Sequence, residues 1–136
     1  LYHDAVLQEK TAGVLIESLL EFEDPIRLYV PRFSSIAQMA EGHLDLAYEA
    51  FADRRYISQS ELIPRSRPNA LLIEKQQVYD QLIRLYLDQE IVMESGAKIP
   101  YRADTFCVHS DTPNALEILQ YIQQRLATEN IKIQHT

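Results

Sequence analysis

The sequence predicts an α/β fold, a sheet or barrel with mostly parallel strands, and three observations carry that expectation. Short apolar runs rich in strand formers alternate with stretches of helical period. Each strand is followed by a turn and then a helix, the order that parallel crossover connections require. Hydrophobic residues make up 46 % and charged residues 24 % of the 136 residues, the balance of a soluble globular chain.

The elements follow in order. Tyr2 to Leu20 has helical period, with Val6, Val14, Leu15, Ile16, Leu19 and Leu20 recurring before Asp24-Pro25 breaks it. Ile26 to Val30 reads as a strand stopped by Pro31. Ser34 or Ser35 can cap a helix through Ile36, Met39 and Ala40 to about Gly42. Leu46 to Phe51 is a second strand. A polar stretch from Ala52 to Asn69 carries four arginines and two prolines, and loops of that length are usually functional or disordered. Glu74 to Gln89 is a helix with Val78, Leu82, Leu85 and Tyr86 on one face. Ile91 to Met93 and Lys98 to Pro100 flank a hairpin turn at Glu94-Ser95-Gly96-Ala97. Thr105 to His109 is a third strand, of buried type. Thr112-Pro113 resembles a helix entry, with the hydroxyl as N-cap and proline at the first helical position. Ala115, Ile118, Leu119, Ile122 and Leu126 form the apolar stripe of that helix, and Ile131 to Ile133 reads as a closing strand. Residues 1–136 show no repeat and no internal boundary, so they are expected to form a single α/β unit.

Composition excludes several classes of function. Thirteen Lys and Arg against twenty Asp and Glu leave a net charge of −7, which argues against nonspecific nucleic-acid binding. No apolar run approaches the ~20 residues of a membrane helix. One cysteine, Cys107, cannot close an intrachain disulfide, so a reducing compartment, the cytoplasm, is expected. No glycine-rich phosphate loop is present. His3, His43 and His135 are isolated and read as surface residues.

Ligands of parallel α/β folds bind where strands end and helices begin. Two such places carry ionisable groups. E-A-F-A-D-R-R-Y, Glu49 to Tyr56, brings Glu49, Asp53 and Arg54 to one strand end. The cluster can position a polar substrate or tune a carboxylate for proton transfer; equally, it can be an ion pair that staples the loop. C-V-H-S-D, Cys107 to Asp111, places His109 and Asp111 at another strand end. Histidine serves as acid, base or metal ligand, but one His and one Asp are too few for a closed metal site. The alternative is that His109 packs against the sheet end while Asp111 caps the next helix. Cys107 reads as a small core residue rather than a nucleophile. Arg65 and Arg67 flank a proline-bounded turn, as an anion site or as solvated charges.

E-A-F-A-D-R-R-Y, then L-I-P-R-S-R-P-N-A-L-L-I, then R-A-D-T-F-C-V-H-S-D occur in order over essentially the whole chain, and together they resemble the LamB/YcsF family. The resemblance implies the C-terminal half of an irregular (β/α) barrel related to polysaccharide deacetylases. It implies an ATP-dependent amidohydrolase that acts with 5-oxoprolinase subunits B and C to open the lactam of 5-oxo-L-proline to L-glutamate. Amide resonance makes a lactam a poor electrophile, so activation of its oxygen by ATP is chemically sensible. Carried onto matching positions, Asp53, His109 and Asp111 become catalytic candidates, with Glu49, Arg54 and Arg65 as substrate-binding candidates. Asp53 and Asp111 would transfer protons or bind metal, His109 would act as acid or base, and Arg54 or Arg65 would anchor a carboxylate or phosphate. Metal dependence stays open, as does the subunit that holds ATP.

Several positions depart from the family pattern. Ser60, Asn69 and Ser110 stand where glycine is usual, and asparagine tolerates a positive φ better than serine. The pattern K-P-H-G-A-L-Y-N precedes the first helix in the family, whereas here the chain begins at Leu1-Tyr2. With such a barrel needing about 250 residues, the expectation is an incomplete barrel, inactive alone, whose open sheet edges invite self-association. Two other readings compete with the enzyme: a non-catalytic scaffold docking to the partner subunits, and a metal-dependent hydrolase or deacetylase on a similar barrel.

Overall fold

The computed structural model describes residues 2–134, with side chains from Asp4 onward. Leu1 and His135 therefore lie outside the described residues, as does the side chain of His3. Three strands, β1 (Arg27–Pro31), β2 (Asp45–Phe51) and β5 (Thr105–Cys107), form a parallel sheet in the order β1-β2-β5. A separate hairpin pairs β3 (Glu90–Val92) with β4 (Lys98–Pro100). The helices are α1 (Tyr2–Leu7), α2 (Glu9–Leu20), α3 (Ser35–Ala40), α4 (Lys75–Ile83) and α5 (Ala115–Thr128).

Register fixes which side chains share a face. Leu28 pairs with Leu46, Val30 with Tyr48 and Ala50 with Phe106, so the even positions of all three strands point the same way. They meet two helical layers. Leu28, Val30, Leu46 and Tyr48 pack with Ala12 and Ile16 of α2 and Ile36, Ala37 and Ala40 of α3. Phe106 and Val108 pack on Val78 and Leu82 of α4 and Ile118, Ile122 and Leu126 of α5. The odd positions, Tyr29, Glu49, Phe51 and Cys107 among them, occupy the opposite face. Among the described residues, β1 and β5 each have β2 as their one hydrogen-bonded neighbour in this sheet.

Several expectations change. The first helix is interrupted at Gln8, whose extended backbone separates α1 from α2; Val14 is left exposed. Helix α4 continues not as α-helix but as a π-helical turn, Arg84–Asp88. That wider turn shifts the register by a residue, so Leu85 is buried while Tyr86 is rotated outward to 48 % exposure. Leu119 likewise lies off the buried stripe of α5. Ile131 to Ile133 is not a strand. No ladder partner meets it among the described residues; instead Ile131 packs against the α4–α5 cluster and its N–H donates to the Leu126 carbonyl. The third strand is shorter than expected and partly exposed, ending at Cys107 because the N–H of His109 bonds to a side chain.

Other local expectations hold. Ser34 caps α3, its Oγ accepting from Ala37 N at 3.2 Å. Asn69 adopts φ 62°, the left-handed region that asparagine tolerates, whereas Ser60 and Ser110 do not. His43 is exposed.

Candidate active site

The site begins where β2 ends. After Phe51 the chain bends, and three backbone carbonyls of the bend are collected by one amide: Gln81 Nε2 of α4 donates to the oxygens of Phe51, Ala52 and Arg54 at 2.9, 3.0 and 2.7 Å. An amide has two hydrogens, so one is shared. The bend turns Asp53 inward to full burial.

Asp53 is met there by the segment after β5. Its Oδ2 accepts from the His109 backbone N–H at 2.9 Å and from the Thr112 hydroxyl. Its Oδ1 faces His109 Nδ1 at 2.9 Å. Burial alone would raise the Asp53 carboxyl. The hydrogen bonds from the His109 ring, Thr112 and the His109 backbone, with the imidazole's charge, outweigh that effect and hold it below its usual 3.8. A carboxyl depressed on folding contributes stability that is complete above about pH 4 and lost as pH falls through its lowered value. Urea midpoints should therefore drop on acidification for the native chain and drop less for Asp53→Asn. Equal slopes would overturn this assignment.

His109 is thereby set in one orientation. Its ring stacks on Phe51, with centroids 5.1 Å apart and planes 24° apart. With a carboxylate at Nδ1, the neutral imidazole carries its proton there and leaves the lone pair on Nε2. The ring is partly exposed, at 26 %, so the group can act as a base or, protonated, as an acid toward a ligand beside Phe51.

The other expected residues distribute around this pair. Asp111 is exposed and takes both NH groups of Arg65, at 2.8 and 3.0 Å; it does not cap α5. Arg54 is 6 % exposed and does not form the stapling ion pair; its Nη2 donates to the Ile63 carbonyl at 2.7 Å. Burial, then the like charge of Arg65, lowers the Arg54 guanidinium, with Asp53 and Asp111 opposing in part. Glu49 is partly buried on β2, with its carbonyl accepting from the Tyr101 hydroxyl at 3.0 Å. Arg67 pairs with Glu94.

Cys107 neighbours Phe51 across the sheet. Burial first, then the negative charges of Glu49 and Asp53, push its thiol up to about 11 from 9.0. Alkylation near neutral pH should be roughly 100-fold slower than for an ordinary cysteine. Reaction at the ordinary rate would overturn the reading of Cys107 as a core residue rather than a nucleophile.

Thr112 corrects an expectation. It does not cap α5: Asn114, at φ 62°, holds the N-cap position without a side-chain bond, and the Thr112 hydroxyl is turned to Asp53. Gln81 was not legible as a site residue. Its only signal was a polar side chain beside the α4 stripe, three residues after Val78. Among the described residues, no three His, Cys, Asp or Glu side chains converge as a metal ion would need, and no helix is long and apolar enough to cross a membrane.

A sequence profile of the LamB/YcsF family matches residues 1–136. Among curated proteins, the chain is 37 % identical to a 5-oxoprolinase A-subunit of Pyrococcus horikoshii over 134 residues, 98 % of this chain and 52 % of the relative. It is 34 % identical to one of Brevibacillus brevis, covering 98 % of this chain and 53 % of that protein. The chain thus spans about half the length of the curated relatives it matches. A lactam utilization protein of Thermus thermophilus has the same fold, with a TM-score of 0.85 and 25 % identity over 99 % of this chain and 54 % of that one.

Proposed function

The chain belongs to the LamB/YcsF family, and from that premise we propose that it carries the acid–base site of a 5-oxoprolinase A-subunit. With subunits B and C and ATP, that enzyme opens the lactam of 5-oxo-L-proline to L-glutamate in the cytoplasm. The observation that carries this reading is the His109–Asp53 pair, a basic nitrogen held at a strand end by a fully buried carboxylate.

Lactam opening needs a proton taken from water and one given to the ring nitrogen as the C–N bond breaks. His109 Nε2 does the first as a base. The imidazolium so formed is stabilised by Asp53, and it then returns the proton to the leaving nitrogen. ATP, when bound by the complex, supplies activation of the amide oxygen; no residue here is assigned to it. Asp111 holds Arg65, and through it the loop beside the site. We further propose that the parallel sheet, with its helices on one face, is an arc of an irregular (β/α) barrel related to polysaccharide deacetylases. Among the described residues β1 and β5 each have β2 as their ladder neighbour in this sheet, which supports that reading and also self-association of the chain in isolation.

The test combines this chain with the remaining part of a relative's A-subunit and with the partner subunits. Glutamate release from 5-oxo-L-proline should require ATP and should fail with His109→Gln. Undiminished release from that variant would overturn the acid–base role and favour a scaffold docked through its open sheet edges.

A further inference from the structure

Beside the His109–Asp53 pair, the loop from Ile57 to Arg65 lines a cavity of about 530 Å3. That volume falls within the range of about 300–1,000 Å3 usual for small-ligand sites. The rest of its wall is mostly apolar and aromatic, with Val6, Phe51, Tyr56 and Tyr101, and Arg54 is part of the lining. Phe51 is therefore shared: it borders the cavity and also stacks on His109.

Arg54 is the unusual member. More than nine-tenths of it is buried, yet among the described residues it forms no ion pair. Ile63 takes one donor, and among the described residues Nε has no hydrogen-bond partner. A buried cation with no carboxylate in direct contact is unfavourable, and the like charge of Arg65 adds to this, offset only in part by the field of Asp53 and Asp111. The second guanidinium of this cavity, Arg65, is already committed to both oxygens of Asp111.

We infer that the cavity is a carboxylate subsite, in which Arg54 pairs the carboxylate of a small cyclic acid and the apolar wall around Phe51 holds its ring. One guanidinium with spare donors matches the two oxygens of a carboxylate. Phe51 links the cavity wall to the His109 ring, which is not itself part of the lining. The proposal deepens the lactam reading above, and rests on it for the identity of the ring.

Calorimetric titration of the chain tests it with four probes: 5-oxo-L-proline, cyclopentanecarboxylate, 2-pyrrolidinone and inorganic phosphate. The two carboxylates should bind with similar Kd. Pyrrolidinone, which has the ring without the charge, should bind at least about tenfold more weakly, and phosphate should not compete. Arg54→Lys should cost the carboxylates about tenfold or more. Because Arg54 also holds Ile63, that variant can fail to fold; Ser60→Phe fills the cavity from the loop without touching Arg54 and should abolish binding too. Carboxylates that fail to bind, pyrrolidinone binding as well as 5-oxo-L-proline, displacement by phosphate, or full affinity in a folded variant would each overturn the subsite. Failure of the two readings is distinguishable. Glutamate release without carboxylate preference sinks the subsite alone, whereas carboxylate binding through Arg54 without glutamate release from the assembled complex sinks the lactam reading.

Discussion

Asp53→Asn should reduce glutamate release by the assembled complex about 10³–10⁴-fold while leaving the fold in place. The size comes from hydrolytic triads, where replacing the buried aspartate by asparagine costs about 10⁴-fold because the histidine adopts the wrong tautomer. The same logic applies to Asp53. Its two oxygens together accept the His109 ring proton, the His109 backbone N–H and the Thr112 hydroxyl. An amide presents one acceptor oxygen and two hydrogens. Whichever way it is turned, one of these donors faces another donor. If the amide NH2 faces Nδ1, the lone pair must sit there, and Nε2 carries the proton instead of accepting one. Activity should therefore fall at all pH values rather than shift its optimum. Stability should fall by about 1–3 kcal/mol, the usual cost of leaving a buried polar group unsatisfied. Loss of less than about tenfold in activity, with an intact circular dichroism spectrum, would remove His109 from the chemistry.

Ile118→Ala should be the most damaging simple truncation for folding. Ile118 is fully buried in the cluster with Val78 and Leu82 of α4 and with Ile122 and Leu126 on its own helix. Truncations of this kind cost about 2–5 kcal/mol, through lost transfer energy plus the cavity left behind. Alanine's better helix propensity returns only about 0.4 kcal/mol. Phe106 and Val108 rest on the same cluster, so the change loosens the floor beneath His109. Urea unfolding followed by circular dichroism should show the loss. A change below about 0.5 kcal/mol would mean that α5 is not docked as described.

Much of the fold was legible because it depends on local chemistry. Strand formers bounded by proline gave β1, and a serine before an apolar run gave the cap of α3. Boundaries that depend on distant partners were not legible. Residues 131–133 have strand-forming side chains, yet a strand exists only with a neighbour. The π turn at Arg84–Asp88 is not signalled by any residue that demands it. In the site, position at strand ends was enough to single out Asp53 and His109 separately. Their contact was not readable, because nothing in the spacing of two residues 56 apart says that they meet. Thr112 looked like a helix cap because its sequence context is that of one. Only the fold supplies the buried carboxylate that outcompetes the backbone for its hydroxyl.

That separation of 56 residues has a kinetic consequence. β1, α3 and β2 are consecutive, so their contacts close short loops, whereas the β2–β5 ladder and the Asp53–His109 bond must first bring together distant segments. The crossover unit from Arg27 to Phe51 should form early, and Asp53 should stay hydrated until the strand carrying His109 arrives. Substitutions at Asp53 or Thr112 should then leave the refolding rate nearly unchanged and accelerate unfolding, with φ-values near zero.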